Sequence, residues 1–257
     1  MENVMCEKYK DYSYGQLLKL VRNGDGNAMY VLASVYYEGK FIEKAQQKAF
    51  EWYKKAVEKG VVEAQYNLGV CYYKGSGVVQ DYSKAVKWWE KAADQGHRCS
   101  QCYLAEYYYN YEKDYKKAIG WYMKAAKQGS VHSMSMIGLC YLNGNGVQKD
   151  EKEAYAWLLR AARRGDAFSQ YNIGVFYNEG KWVKQNHLEA IKWWKKAAKQ
   201  KMIDANYKLG CCYFNGKIVK KDYKKANQYF MCCENKLSGD KNDVVINCLR
   251  EIKKYEI

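Results

Sequence analysis

The chain has 257 residues, of which 48% are hydrophobic, and a formal net charge of +15 at pH 7. This length and composition exclude a disordered tail, because the chain can bury a substantial core. Proline is absent while glycine occurs 20 times, so turns are built from glycine and polar residues and helices can run uninterrupted. The composition therefore favours an all-α fold.

The first ten residues, MENVMCEKYK, contain no apolar run of the kind that a signal peptide needs. No window of the chain approaches the roughly 20 apolar residues of a membrane span. We therefore expect a cytoplasmic protein that does not insert into a membrane. The ten cysteines are expected to be free thiols, since disulfides belong mainly to exported proteins.

A pattern with a period of 36 residues organises most of the chain. One of the intervals between successive copies is only 33 residues long. A small residue opens each copy and a second one follows about 21 positions later. The opening residues are Ala28, Ala64, Ser100, Ser133, Ser169 and Ala205, and the later ones are Ala49, Ala85, Ala118, Ala154, Ala190 and Ala226. The chain thus contains six copies of one structural unit.

The second copy shows what each unit is expected to form. Its stretch AQYNLGVCYYKGSGV places Ala64, Leu68 and Tyr72 on one stripe of a helix. The glycines of Gly75-Ser-Gly77 can adopt positive φ and end that helix. Asp81 then suits the N-cap of a second helix, and Asp114, Asp150, Asn186 and Asp222 stand at the same place in later copies. Each copy therefore predicts helix, turn, helix.

These residues resemble the Sel-one-like repeat family, which is related to the tetratricopeptide repeat. The resemblance rests on A-x-x-x-L-G-x-x-Y-x-x-G-x-G-V followed by D-x-x-x-A-x-x-W-x-x-K-A-A, and it covers roughly residues 27–235. It implies a right-handed α-solenoid of about six helix-turn-helix repeats, with the first helices on the concave face. It also implies a non-catalytic scaffold or adaptor.

The chain ends are expected to cap this array. Leu17–Gly24 has the pattern of an orphan second helix, and Val244–Tyr255 that of an amphipathic closing helix after the polar segment Ser238–Asp243. The predicted organisation is an N-terminal capping helix in residues 1–26, six repeats in residues 27–237 and a C-terminal capping helix in residues 238–257.

Two columns of the predicted concave face are rich in aromatic residues, which are typical anchors of peptide-binding grooves. The alternative is that these rings pack between adjacent first helices. The predicted partner-binding residues are Tyr30, Tyr37, Tyr66, Tyr73, Tyr109, Tyr171, Asn178, Tyr207, Phe214 and Asn215. The expected partner is a protein or peptide, whose encounter the positive field would accelerate if it is acidic.

The third copy differs from the others. Cys99 and Cys102 form a Cys-x-x-Cys beside His97, a spacing that suits half a zinc site or a redox pair. No second Cys-x-x-Cys completes such a site. The glycine turn is also missing, so Tyr107–Tyr115 is expected to form a short, tyrosine-rich connection. In the fifth copy Trp182 stands where other copies have glycine.

Signatures of catalysis are lacking in the sequence. The three histidines have no paired spacing, and no phosphate-binding glycine loop or nucleophile motif occurs. We therefore expect no enzyme, no cofactor and no metal. Two alternatives to a protein-binding scaffold stay open: a basic nucleic-acid-binding repeat protein, suggested by the charge together with lysine, tyrosine and tryptophan, and a thiol or zinc site at Cys99 and Cys102.

Overall fold

The computed structural model of the chain describes residue 9 and residues 12–39, 45–233, 236–237 and 239–254. Within these residues the secondary structure is helical and contains no strand, which confirms the predicted all-α class. The α-helices are α1 Tyr14–Arg22, α2 Gly26–Glu38, α3 Gln46–Glu58, α4 Val62–Lys74, α5 Tyr82–Asp94, α6 Arg98–Tyr107, α7 Tyr115–Lys127, α8 Val131–Asn143, α9 Glu151–Arg163, α10 Ala167–Glu179, α11 His187–Lys199, α12 Ile203–Asn215, α13 Tyr223–Met231 and α14 Asp240–Lys253.

The helices form two compact units, one ending at Gln128 with α1–α7 and one beginning at Gly129 with α8–α14. Within each unit, helices that follow each other in the chain pack against each other. The first and second helices of the six copies are α2 and α3, α4 and α5, α6 and α7, α8 and α9, α10 and α11, and α12 and α13. These consecutive helix pairs confirm the prediction of an α-solenoid built from helix-turn-helix repeats.

The ends of the helices follow the predicted chemistry. Five of the first helices end at a glycine in the left-handed conformation, as at Gly75, where φ is 69° and the N–H donates to the Cys71 carbonyl. Five of the second helices begin at an Asp or Asn side chain that accepts a backbone N–H bond. These capping residues are Asp81, Asp114, Asp150, Asn186 and Asp222.

In four of the six copies, a glycine of the first helix packs against a large residue of the second helix. A Cβ atom built on Gly69 of α4 would lie 2.3 Å from the indole ring of Trp89 on α5. Gly174 and Trp194 repeat this arrangement on α10 and α11 with the same distance. Both tryptophans are almost fully buried. The two helices of a pair can therefore approach closely only because the first helix has no side chain at this point.

The indole nitrogens of these buried tryptophans satisfy backbone acceptors on the first helix. Trp89 Nε1 donates to the carbonyl of Tyr66 at 3.3 Å, and Trp194 Nε1 donates to the carbonyl of Tyr171 at 3.2 Å. A buried indole N–H without a partner would be destabilising. Each hydrogen bond thus links a buried tryptophan to a tyrosine of the column that was predicted to bind a partner.

The terminal helices differ in extent from their predictions. Helix α1 begins three residues before Leu17, because Ser13 and Gln16 form a capping box. Helix α14 begins at Asp240, so the last part of the segment Ser238–Asp243 is helical rather than a polar connection. Asp240 and Asp243 lie in its first turn, where acidic side chains are favoured by the helix dipole. Ser238 and the predicted end at Tyr255 lie outside the described residues.

Both terminal helices pack against a neighbouring repeat. Leu17 and Val21 of α1 are buried in one cluster with Leu32 of α2. Val245 and Ile252 of α14 are buried in another cluster with Phe230 of α13 and further residues. The division of the chain into caps and repeats at residues 26 and 237 stays a prediction.

The short, tyrosine-rich connection predicted in the third copy contains a helical turn. Helix α6 continues directly into a π-helical turn, Tyr108–Glu112, and Lys113 closes it with φ of 56°. A π-helical turn places its side chains at angles that an α-helix does not offer. In the fifth copy Trp182 adopts φ of 60° and is exposed, with the Lys152 ammonium 5.5 Å from its ring centroid.

We expect Gly69→Ala to lower the free energy of unfolding by about 1 to 3 kcal/mol, because the new methyl group would overlap the Trp89 ring. Gly120→Ala on α7 is the matched control, since nothing lies within 4 Å of its added Cβ. That substitution should raise the free energy of unfolding by about 0.5 to 1 kcal/mol through helix propensity. Urea denaturation followed by circular dichroism measures both. Equal effects of the two substitutions would contradict the role assigned to Gly69.

Candidate partner-binding site

The aromatic residues of the two predicted columns are half-buried and lie on the first helices or on the π-helical turn. This holds for Tyr30, Tyr37, Tyr66, Tyr73, Tyr109, Tyr171, Tyr207 and Phe214, and Asn178 is half-buried as well. Asn215, at the end of α12, is exposed. The columns thus combine packing inside the fold with some exposed surface area.

In the first unit, rings of the second and third copies form one continuous series of contacts, which we call the aromatic strip. It consists of Tyr66 and Tyr73 of α4, Tyr82 and Trp89 of α5, Tyr103 and Tyr107 of α6, and Tyr111 of the π-helical turn. In order along the strip, the centroid distances are 5.6 Å for Tyr66–Tyr103, 5.0 Å for Tyr103–Trp89, 5.5 Å for Trp89–Tyr73, 5.4 Å for Tyr73–Tyr82, 6.3 Å for Tyr82–Tyr111 and 5.7 Å for Tyr111–Tyr107.

The strip has a buried floor and an exposed rim. Trp89 is 1% exposed and supports the rings above it, whereas Tyr103, Tyr82 and Tyr111 are 36%, 45% and 60% exposed. The rings of Tyr82 and Tyr107 lie nearly parallel to that of Tyr111 on either side, with interplanar angles of 26° and 24°. Such offset stacking is a favourable arrangement of aromatic rings.

Hydrogen bonds hold the end of the strip at the π-helical turn. The hydroxyl groups of Tyr73 and Tyr111 lie 2.9 Å apart, and the Tyr107 hydroxyl donates to Glu112 Oε1 at 2.7 Å. Close by, the Tyr108 hydroxyl donates to Glu90 Oε1 at 3.1 Å. These bonds orient several rings before any partner binds, so the surface is preorganised.

The tyrosine hydroxyls at this end remain protonated well above neutral pH. The hydrogen bond with Tyr111, followed by partial burial, raises the pKa of Tyr73 to about 12. Burial and then the hydrogen bond to Glu90 raise the pKa of Tyr108 to about 12. The hydrogen bond to Glu112 raises the pKa of Tyr107. At neutral pH these hydroxyls can therefore donate and accept hydrogen bonds without any charge.

Sequence reasoning identified Tyr66 and Tyr73 but missed several other rings of the strip. Tyr103 occupies the helix position next to the predicted column, where the second copy has Asn67. Tyr111 belongs to the tyrosine-rich segment noted in the third copy, and only the π-helical turn turns its ring toward Tyr82. For both residues, the hint available in the sequence was that the third copy differs from the other copies at these positions.

In the second unit the predicted residues are engaged by neighbouring elements. Tyr207 packs in the cluster that contains Val245 of α14, and the Lys241 ammonium lies 5.9 Å from its ring centroid. The Phe214 ring contacts Tyr223 at a centroid distance of 5.6 Å. Helix α14 therefore covers part of this column, so the second unit offers less aromatic surface there than the first.

A cavity of about 460 Å³ lies in the first unit, at the beginnings of α4 and α6. Lys59, Glu63 and Arg98 line it together with His97, whose ring is 4.9 Å from that of Tyr66. The cavity thus opens beside the Tyr66 end of the aromatic strip. Two cationic side chains and one carboxylate give it an excess of positive charge.

The Cys-x-x-Cys lies at the beginning of α6, with Cys99 and Cys102 both half-buried and neither in a disulfide. His97 is the N-cap of this helix, because its Nδ1 accepts the backbone N–H of Ser100 at 3.2 Å. Among the described residues no group of three or more His, Cys, Asp or Glu could hold a metal ion. The structure therefore offers no ligand set that would complete a zinc site around Cys99 and Cys102.

A family model described as Sel1 repeat matches the chain at residues 26–61, 62–97, 100–130, 131–166, 167–202 and 203–230. The chain belongs to the Sel1 repeat family. Proteins with Sel1 repeats are generally scaffolds for protein–protein interaction, and their fold is typically non-catalytic. No helix in the described part of this Sel1 repeat protein is both long and apolar enough to cross a membrane.

Two solved structures are similar to this Sel1 repeat protein. A Sel1 repeat protein from Oxalobacter formigenes is 32% identical with a TM-score of 0.74, and the match covers 87% of this chain and 88% of that chain. The protein c5321, a protective antigen present in uropathogenic Escherichia coli strains, is 27% identical with a TM-score of 0.83. That match covers 95% of this chain and 57% of the antigen. No curated protein matches the chain.

The pKa of Tyr73 predicts an alkaline loss of stability. Because its folded-state pKa is raised from 10.0 to about 12, the contribution to stability is fully present below pH about 10 and is lost as the pH rises through about 12. Tyr73→Phe should therefore reduce the fall in the free energy of unfolding between about pH 10 and about pH 12 in urea denaturation. Tyr111→Phe, which removes the hydrogen-bond partner, should act in the same direction. An undiminished fall in both variants would contradict this assignment.

Proposed function

We propose that this Sel1 repeat protein is a non-catalytic adaptor that binds a partner protein or peptide on the face of its first helices, with the aromatic strip as the main anchor. The observation that supports this most is the continuity of the strip, which includes three exposed tyrosines and a buried tryptophan. Aromatic side chains in such positions provide much of the energy of protein recognition.

The rim of the strip suits an extended peptide. Tyr103 and Tyr111 present ring faces and edges to solvent, and their neighbours already hold them in place, so binding costs little side-chain entropy. Backbone groups of a peptide could form hydrogen bonds with the hydroxyl groups of Tyr82 and Tyr111. Polar bonds of this kind would set the register of the peptide along the rings.

The cavity beside Tyr66 supports an acidic residue in the partner. Lys59 and Arg98 line this cavity, and a carboxylate there would gain charge-assisted hydrogen bonds. A ligand that places an aromatic or apolar segment on the strip and an acidic side chain in the cavity would use both features. In this proposal the predicted residues of the second unit, such as Tyr171 and Asn215, extend the same kind of face.

We expect Tyr103→Ser combined with Tyr111→Ser to abolish capture of the partner from lysate of the native cells, while the fold is retained. Both rings lie on the rim, so their removal takes away contact area and leaves the Trp89 floor in place. Affinity capture with nuclease and moderate salt, quantified by mass spectrometry, compares this variant with the wild type. A photo-crosslinking amino acid at position 103 then identifies the partner that touches the strip.

Phe168→Ser combined with Trp182→Ser is the matched control. These residues are 36% and 56% exposed, close to the 36% and 60% of Tyr103 and Tyr111, but they belong to the second unit and not to the strip. The purified partner should bind the control as it binds the wild type and should bind the strip variant at least about tenfold more weakly, a difference of about 1.4 kcal/mol. Equal binding to all three proteins would refute the proposal.

A further inference from the structure

Positive charge is concentrated on the second helices of the repeats. The six second helices contain nineteen Lys and Arg residues and seven Asp and Glu residues, whereas the six first helices contain three and five. Helix α7 alone has four lysines and no acidic residue. The net charge of +15 is therefore not distributed evenly over the helices. Most of this net charge lies on the second helices, whereas the predicted partner-binding columns lie on the first helices or the π-helical turn.

One cation recurs at the same position of five second helices, always stacked on a tryptophan three residues earlier. The distances from cation to ring centroid are 4.1 Å for Lys55 on Trp52, 4.4 Å for Lys91 on Trp88, 3.7 Å for Lys124 on Trp121, 4.7 Å for Arg160 on Trp157 and 4.0 Å for Lys196 on Trp193. We call these five cations the outer basic positions. Three belong to the first unit and two to the second.

Packing explains the tryptophans at these positions. Trp88 packs against the hydrophobic cluster of the preceding copy, which contains Ala49 and Ala56 of α3. Trp121 likewise packs against the cluster that contains Ala85 and Trp89. Each ring is half-buried, with its remaining face covered by the lysine. A methylene chain without charge would cover the ring as well, so packing does not account for the cations.

The lysines at the outer basic positions are not neutralised within the protein. In the ion pairs of the second helices, a lysine is paired with an acidic residue three positions earlier, as for Lys84 with Asp81 at 3.2 Å. Among the described residues, none of the ion pairs involves Lys55, Lys91, Lys124 or Lys196. Their charge is therefore available to an external anion. The stacking restricts each ammonium group, which lowers the entropic cost of binding.

Beside one of these lysines the surface is concave. A recess of about 430 Å³ lies along α5, where Lys84, Lys87 and Lys91 surround the edge of Trp88 together with Glu90 and Asp94. Three ammonium groups against two carboxylates make the recess cationic.

We propose that the outer basic positions bind the phosphate backbone of single-stranded nucleic acid. Cations that recur once per repeat match a polymer whose charges also recur regularly. A flexible strand can follow positions on successive helices, whereas a rigid duplex would contact fewer of them. Because lysine covers the tryptophan faces, the bases do not stack there, and binding is independent of base sequence.

Two other polyanionic partners fit these helices less well. Insertion into an anionic membrane needs exposed apolar anchors, and on the described second helices large exposed apolar residues occur only near the ends, at Tyr82, Leu188 and Met231. An acidic protein would present carboxylates at irregular spacing. The outer basic positions share no residue with the aromatic strip, so either proposal can fail without the other.

The test measures binding of a fluorescein-labelled oligouridylate of about 20 nucleotides by fluorescence anisotropy at several salt concentrations. The variant replaces Lys55, Lys91 and Lys124 of the first unit with Gln. Three lost phosphate contacts should reduce the slope of log K against log salt by about 2 and weaken binding roughly tenfold or more at about 0.1 M salt. The fold should be unchanged by circular dichroism, since the tryptophans remain.

The control variant replaces Lys74, Lys149 and Lys184 with Gln, which removes the same charge from exposed positions outside the second helices. It should keep the wild-type slope, and replacing Lys55, Lys91 and Lys124 with Arg should also keep it. Equal losses in both Gln variants would overturn the proposal, because net charge alone would then explain binding. Stronger binding to phosphatidylserine vesicles than to the oligouridylate, with the same dependence on these lysines, would overturn it in favour of a membrane surface.

Discussion

The close contact between a glycine on the first helix and a large residue on the second helix, found in four of the six copies, is the constraint on which the repeats depend. At Gly69 and Gly174 the glycine leaves room for an indole ring that any side chain would displace. The buried ring removes a large apolar area from water and is also bound through its N–H to the first helix. Since one helix pair cannot bury both of its faces, each pair then requires the next one.

The surface chemistry of the first helices follows from this contact. The carbonyl that accepts the Trp89 N–H belongs to Tyr66, so the tyrosine column and the core share one backbone position. The ring of Trp89 also contacts the rings of Tyr103 and Tyr73. The aromatic strip is thus an outward extension of the hydrophobic core rather than a separate patch. Its rings are rigid for the same reason that the repeat is stable.

The third copy departs from the pattern, and its departure shapes the strip. A loss of three residues would leave the chain too short for the usual glycine turn. The π-helical turn at Tyr108–Glu112 makes the connection instead, and it brings Tyr111 against Tyr82 and Tyr73. The other face of the repeats is different in kind, since cations stacked on half-buried tryptophans recur there with no break at the third copy. One repeat framework therefore supports a neutral aromatic surface and a basic one.

The spacing of residues in the sequence was enough to predict the repeated helix pair, because it shows which residues must be small, which must turn the chain and which must cap a helix. Ala64, Gly75 and Asp81 have the burial, the positive φ and the capping bond that local rules predict. The uneven charge of the two helix classes was also readable from the order of residues. The contacts between tyrosine rings became visible only in the tertiary structure, because Tyr103 and Tyr111 belong to other helical segments than Tyr66 and Tyr73. It also showed α14 against Tyr207, a long-range contact that no periodic pattern contains. Local interactions repeat with the sequence, whereas contacts between copies depend on how the backbone of each connection directs the next helix.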